Sequence, residues 1–165
     1  MTQKFITATF KSTQATESAL LDSERIGVTE ENLSLIMSDE TRGKSFNIET
    51  DDKMAEMSAT GASVTGFLGA IVGSIAVAGT IAIPGLNLVV AGPLIGALTG
   101  LGAGAAAGGM IGALVGVGIP EYEAKLYEDE IKNGGILIAV QPEDDEQAEK
   151  VAEVFEKADA YNIAA

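Results

Sequence analysis

The sequence predicts an α+β fold in which a split β-α-β domain is interrupted by a long glycine-rich helical hairpin. Three observations carry this reading. Strand and helix patterns alternate at both ends of the 165-residue chain. Residues 61–118 contain no charged side chain and hold 16 of the 20 glycines. Within that stretch Gly92, Gly96, Gly100, Gly104, Gly108, Gly112 and Gly116 recur at every fourth position.

The elements follow in order. Phe5 to Phe10 (Phe-Ile-Thr-Ala-Thr-Phe) is rich in β-branched and aromatic residues and reads as a strand. Ser12 or Thr13 caps a helix to about Arg25, with Ala15, Ala19, Leu20 and Ile26 on its inner side. Gly27 ends it. Asn32 to Met37, with Leu33, Leu35 and Met37 alternating, is a second strand. Residues 39–59 are polar and read as an exposed connector.

A first apolar helix is expected from about Thr60 to Ile83, with its own small-residue row at Ala62, Gly66, Ala70, Ser74 and Ala78. Pro84-Gly85 breaks it, and Gly92-Pro93 opens a second helix that runs to about Gly118. Pro84, Gly85 and Pro93 are thus the expected hairpin turn. Residues four apart stand one above another on a helix, so each row draws a groove along one face. A glycine in a helix interior costs about 1 kcal/mol against alanine, so seven cost roughly 7 kcal/mol. Close contact with another helix is the physical offset. About 24 residues span roughly 36 Å as a helix, enough for a hydrocarbon core of about 30 Å.

Pro120 then starts a helix to Lys132, supported by Glu121 with Lys125 and Glu128 with Lys132. Asn133-Gly134-Gly135 stops it. The apolar run from Gly135 to Val140 predicts a central strand. Pro142 opens a last helix whose acidic first turn, Glu143 to Glu146, suits the helix dipole. Ala148, Val151, Ala152, Phe155 and Ala158 form its apolar face, and Tyr161 to Ala164 is a short final strand. The two ends together give the ferredoxin-like split β-α-β pattern. Residues 1–57 and 119–165 are expected to be the two halves of that domain, and 58–118 the hairpin inserted in it.

Composition narrows function. With 24 acidic and 10 basic residues the formal net charge is −14, which excludes a nucleic-acid footprint. The chain has no cysteine and no histidine, which removes the thiolate nucleophile, the usual proton shuttle and the commonest metal ligands. No catalytic residue, metal or cofactor is predicted. Gly43-Lys44-Ser45 mimics the end of a phosphate-binding loop, but the glycine needed five positions earlier is Ser38. Gly102 to Ala107 fits a dinucleotide-binding spacing only by chance, mid-helix and with no preceding strand. Glu143 to Glu146 lacks the spacing of a calcium loop.

Asn47 to Lys53, the glycine-rich stretch, Ile83-Pro84-Gly85, Ala91-Gly92-Pro93, Gly116 to Glu121 and Gly134 to Leu137 resemble a group of bacterial stress-associated proteins. These are heat-induced or general stress proteins, with low-temperature-induced relatives in cyanobacteria. The resemblance implies a ferredoxin-like domain interrupted by a glycine-zipper hairpin and a role in stress physiology. It brings no catalytic residues.

The expectation is therefore a non-enzymatic stress protein that self-associates as a homo-oligomer, its hairpin in the lipid of the inner membrane and its acidic domain on the cytoplasmic side. Met1 to Phe5 lacks the apolar stretch of a secretory signal, in keeping with that side. The rival is a soluble particle or filament with the hairpins buried between subunits. A ligand-sensing ferredoxin-like domain is the third reading.

Overall fold

A computed structural model describes residues 5–45, 71, 80–83, 86–94, 102–116 and 118–164. Strand β1 (Ile6–Phe10) leads to helix α1 (Thr13–Arg25), a short 3-10 turn (Glu30–Asn32) and strand β2 (Leu33–Ser38). Helix α2 (Asp39–Ser45), strands β3 (Thr80–Ile83) and β4 (Leu86–Ala91) and helix α3 (Gly102–Gly116) follow. Helix α4 (Glu121–Lys132), strand β5 (Ile136–Val140), helix α5 (Asp145–Lys157) and strand β6 (Tyr161–Ala164) complete the described chain. This is a mixed α+β fold.

The strands form one six-stranded antiparallel sheet in the order β3-β4-β2-β5-β1-β6. β5 is central, as its unbroken apolar run predicts. Its residues face β1 on one side (Ile138 opposite Ala8) and β2 on the other (Ile138 opposite Leu35).

Alternation along the strands sends side chains to two faces, and both faces are covered. On the first, Ile6, Ala8, Phe10, Leu33, Leu35, Met37, Ile136, Ile138 and Val140 meet Ala19 and Leu20 of α1 and Val151, Val154 and Phe155 of α5. The Phe10 and Phe155 rings stand edge to face, centroids 5.6 Å apart. On the second, Ile36, Leu88, Val90, Leu137 and Ala139 meet α3 and α4.

The local signals explain the helices. Ser12 Oγ accepts the Ala15 N–H and caps α1. Asp144 caps α5 by accepting the Gln147 N–H, so Pro142 lies outside that helix. Glu121 pairs with Lys125 at 3.0 Å and Glu128 with Lys132 at 2.7 Å, the spacing expected on α4.

Three expectations are corrected. The first helix of the hairpin does not reach Ile83, because Thr80–Ile83 is β3. Gly92-Pro93 does not open an unbroken helix either: Gly92 is a bend after β4, Pro93 a turn, and α3 is kinked at Gly109 (φ 58, ψ −143). Short apolar runs fit a buried strand as well as a buried helix, and here pairing of β4 with β2 decides in favour of strand. Residues 39–45 form a helix rather than an exposed connector, with Thr41 buried and its N–H donated to Ser38 Oγ.

Candidate functional site

The glycine-rich stretch is where the sequence places function, so its described parts define the candidate site. It enters the domain through β4, whose register with β2 runs from Ser38 opposite Leu88 to Leu35 opposite Ala91. Gly92 follows with φ +94, a conformation that L side chains rarely adopt. A β-carbon there would also run into the Leu33 carbonyl oxygen and lie 2.8 Å from Ser34 Cα. Only glycine lets the chain cross β2 this closely. Two residues on, the Leu94 N–H donates to Ser34 Oγ at 3.1 Å, and both residues are buried.

The stretch meets the domain again at the end of α3. Gly109 separates two helical pieces. In the second, Met110, Ala113 and Leu114 are buried against the second sheet face. Their spacing of three and four puts them on one stripe. The opposite stripe is Gly112, Val115 and Gly116, with Ile111 at its edge and packed against the second-face core. Ile111 and Gly112 are half-buried, Gly116 is exposed, and Val115 is 43% exposed, one of three large apolar residues exposed among those described. The piece closes when Gly118 N–H donates to Val115 O at 3.0 Å and Ile119 N–H to Leu114 O at 3.1 Å, which turns the chain into α4.

Beneath this helix pair lies a polar point. Tyr127 of α4 is fully buried, its hydroxyl 2.6 Å from Thr7 Oγ1 and donated to the Asn162 carbonyl at 3.2 Å. Burial pushes the Tyr127 hydroxyl up to about 12, the Thr7 hydrogen bond opposes this, and the Glu123 charge adds to it.

The predicted packing residues are thus distributed. Gly104, Gly108, Gly112 and Gly116 lie in α3 on either side of the Gly109 kink, and Gly92 lies outside any helix. Gly96, Gly100, Ala62, Gly66, Ala70, Ser74 and Ala78 lie outside the described residues, as do Pro84 and Gly85 of the expected turn. Of the expected first helix, Ile71 is helical and buried in the cluster of the first face. Ser34, Leu94 and Tyr127 were not predicted. Ser34 reads as a polar, outward strand position and becomes buried because the second face is covered.

The motifs set aside in the sequence have ordinary places. Gly43-Lys44-Ser45 ends a helix and Gly102 to Ala107 lies within one. Among the described residues no group of three or more carboxylates is placed to hold a metal ion. No described helix is long and apolar enough to cross a membrane.

Neither a protein family, a curated protein nor a solved structure matches the chain.

Proposed function

We propose that this chain is a non-enzymatic, self-associating protein whose glycine-rich segment holds copies together around an acidic domain. The observation that carries the reading is the outward stripe Gly112, Val115 and Gly116. It is uncharged, it carries glycines four apart beside the exposed Val115, and it points away from the core that Met110, Ala113 and Leu114 fill, against which Ile111 packs from the edge. Such a face lets two helix backbones approach closely. The rest of the surface is strongly acidic and opposes contact between copies, which leaves uncharged faces as the place where they meet.

The finer fold reading belongs to this proposal. The strand order β6-β1-β5-β2, with α1 and α5 packed on one face, supports a ferredoxin-like split β-α-β domain. β3 and β4 extend that sheet, and α3 and α4 cover its other face. The setting in bacterial stress physiology rests on the resemblance of residues 47–141.

Insertion of the segment in the inner membrane, with the domain on the cytoplasmic side, is the second reading. The uncharged stretch 61–118 favours it. A hairpin of helices over 60–83 and 92–118 would need β3 and β4 to leave the sheet and Leu88, Val90 and Leu94 to leave the core.

Sedimentation velocity of the native chain and of Gly112→Leu and Gly116→Leu tests the first reading. The native chain is expected to run as an oligomer and both variants as smaller species with unchanged circular dichroism. A monomeric native chain overturns self-association. Flotation with lipid vesicles, resistant to carbonate, decides for the second reading.

A further inference from the structure

The chain holds five asparagines, and four of them, Asn32, Asn47, Asn87 and Asn162, are followed by leucine or isoleucine. Asn133 is followed by glycine. The difference is chemical. The backbone nitrogen after an asparagine can attack the side-chain amide carbon and close a five-membered ring. A leucine or isoleucine side chain beside that nitrogen crowds the approach, and glycine leaves it open. No aspartate in the sequence precedes a glycine, so Asn133-Gly134 is the one dipeptide at which such a ring closes readily.

The fold places this dipeptide in a turn that keeps the ring from closing. Asn133 ends α4 with φ −88 and ψ 10, and Gly134 follows at φ +93. Gly134 N–H donates to Ile131 O at 3.1 Å and Gly135 N–H to Glu130 O at 2.7 Å, the paired bonds of a glycine helix stop. Ring closure needs the Gly134 nitrogen turned to the side of the Asn133 β-carbon. A ψ of 10 turns it toward the backbone nitrogen of Asn133 instead. The attacking nitrogen must also give up its proton, which is engaged with Ile131 O. Asn133 itself is exposed, so the backbone and not burial protects it.

We infer that Asn133 is a deamidation site latched by the fold: it stays intact while the turn between α4 and β5 is closed and is converted once that turn opens. The deprotonated Gly134 nitrogen bonds to Asn133 Cγ, the Cγ–Nδ2 bond breaks, and the side-chain nitrogen takes up a proton and leaves as ammonia. Water then opens the cyclic imide. Attack at Cγ gives aspartate, and attack at the backbone carbonyl gives isoaspartate, with the main chain rerouted through the side chain. Both products set a new carboxylate at the C-terminal end of α4, where the helix dipole disfavours negative charge. The isoaspartyl link also adds one carbon to the main chain between the buried Ile131 and Ile136, at the entry to the central strand β5. Opening of the turn is thereby converted into a lasting chemical change that hinders its closing. The site stands apart from the glycine-rich segment and does not depend on self-association.

The full chain, held at mildly alkaline pH in native buffer and in urea above its unfolding midpoint, tests this. Peptide mass and charge after digestion give the conversion of each asparagine. In urea Asn133 is expected to convert ahead of the other four. In native buffer its conversion is expected to be at least about tenfold slower, because the turn must open first. Gly134→Ala, compared in urea where folding plays no part, is expected to lose most of the conversion. Chain converted in urea and refolded is expected to unfold at a lower midpoint than chain passed only briefly through urea. Equal rates at Asn133 in native buffer and in urea overturn the latch. Faster conversion at another asparagine, or an unchanged rate in Gly134→Ala, overturns the site and the ring route. An unchanged midpoint after conversion overturns the effect on the turn.

Discussion

Leu94 donates its backbone N–H to the buried Ser34 hydroxyl at 3.1 Å, across 60 residues of sequence. Ser34 belongs to β2 and Leu94 to the stretch that leaves β4, so this one bond fastens the glycine-rich segment to the sheet. It also makes Ser34 a structural residue at a position that the strand pattern marks as outward.

Ser34→Ala is expected to lower stability by about 1–3 kcal/mol, because the Leu94 N–H is then buried without a partner. The midpoint of urea unfolding reads this. Ser34→Thr keeps the hydroxyl and separates loss of the bond from change of size.

Gly92→Ala is expected to be more damaging than alanine at any glycine of α3. It combines a positive φ with collision against the Leu33 carbonyl and the Ser34 backbone. Gly112→Ala meets no such strain in a helix and should raise stability slightly. Thermal melts of the two variants should move in opposite directions.

Tyr127→Phe removes the hydroxyl shared with Thr7 and donated to the Asn162 carbonyl. A loss on the order of 1–2 kcal/mol is expected. The pH dependence gives a second reading. The Tyr127 hydroxyl is raised from 10.0 to about 12 in the folded chain, so the folded state keeps its proton while the unfolded state loses it. The contribution is full below pH 10 and is lost as pH rises from there to about 12, on the order of 2–3 kcal/mol. Denaturation followed across this window should show a decline in the native chain that Tyr127→Phe lacks.

Leu114→Ala is expected to cost about 2–5 kcal/mol, as a large-to-small change in a closed core. Val115→Ser, one residue on and outward, is expected to leave the unfolding midpoint near native and to weaken self-association. Urea unfolding and sedimentation velocity, run on both variants, separate the inward stripe from the outward one.

Joining residues 1–57 to 119–165 by a short linker removes β3 and β4 and, with them, Leu88, Val90, Leu94, Met110, Ala113 and Leu114 from the second face. β2 then becomes an edge, and Ile36, Leu137 and Ala139 keep only α4 as cover. Binding of a hydrophobic dye and loss of a sharp unfolding transition are expected. A dye-silent, cooperatively folding product would show that α4 suffices.

The ends of the chain were legible because their patterns are unambiguous. Ser12 and Asp144 are capping residues, Val151 and Phe155 hold a helical period, and Ile136 to Val140 is too short and apolar to be anything but a buried strand or a turn of core helix. The middle misled for a physical reason. Thr80 to Ile83 and Leu86 to Ala91 are continuous apolar runs, and such runs look alike in a strand buried on both faces and in an apolar helix. Pro84-Gly85 between them serves a helix break and a strand junction equally well. The fourfold glycine spacing reads as one groove, but spacing does not reveal that Gly92 and Gly109 leave the helical conformation. Nor could Met110 and Leu114 be told from Val115 before the second sheet face was known to need cover.

β1 lies between β5 and β6, so both strands that pair with it come from beyond residue 135. Ile6 waits for Val140, and Thr9 waits for Tyr161. During synthesis the first strand therefore leaves the ribosome long before either neighbour exists, and of the two strands that pair with β2 among the described residues β4 emerges first. Contacts this distant in sequence make folding slow and leave apolar segments bare for its duration. Nascent chains of this protein should thus depend on holding chaperones until β5 emerges, a demand that sharpens at temperatures where other clients compete for them.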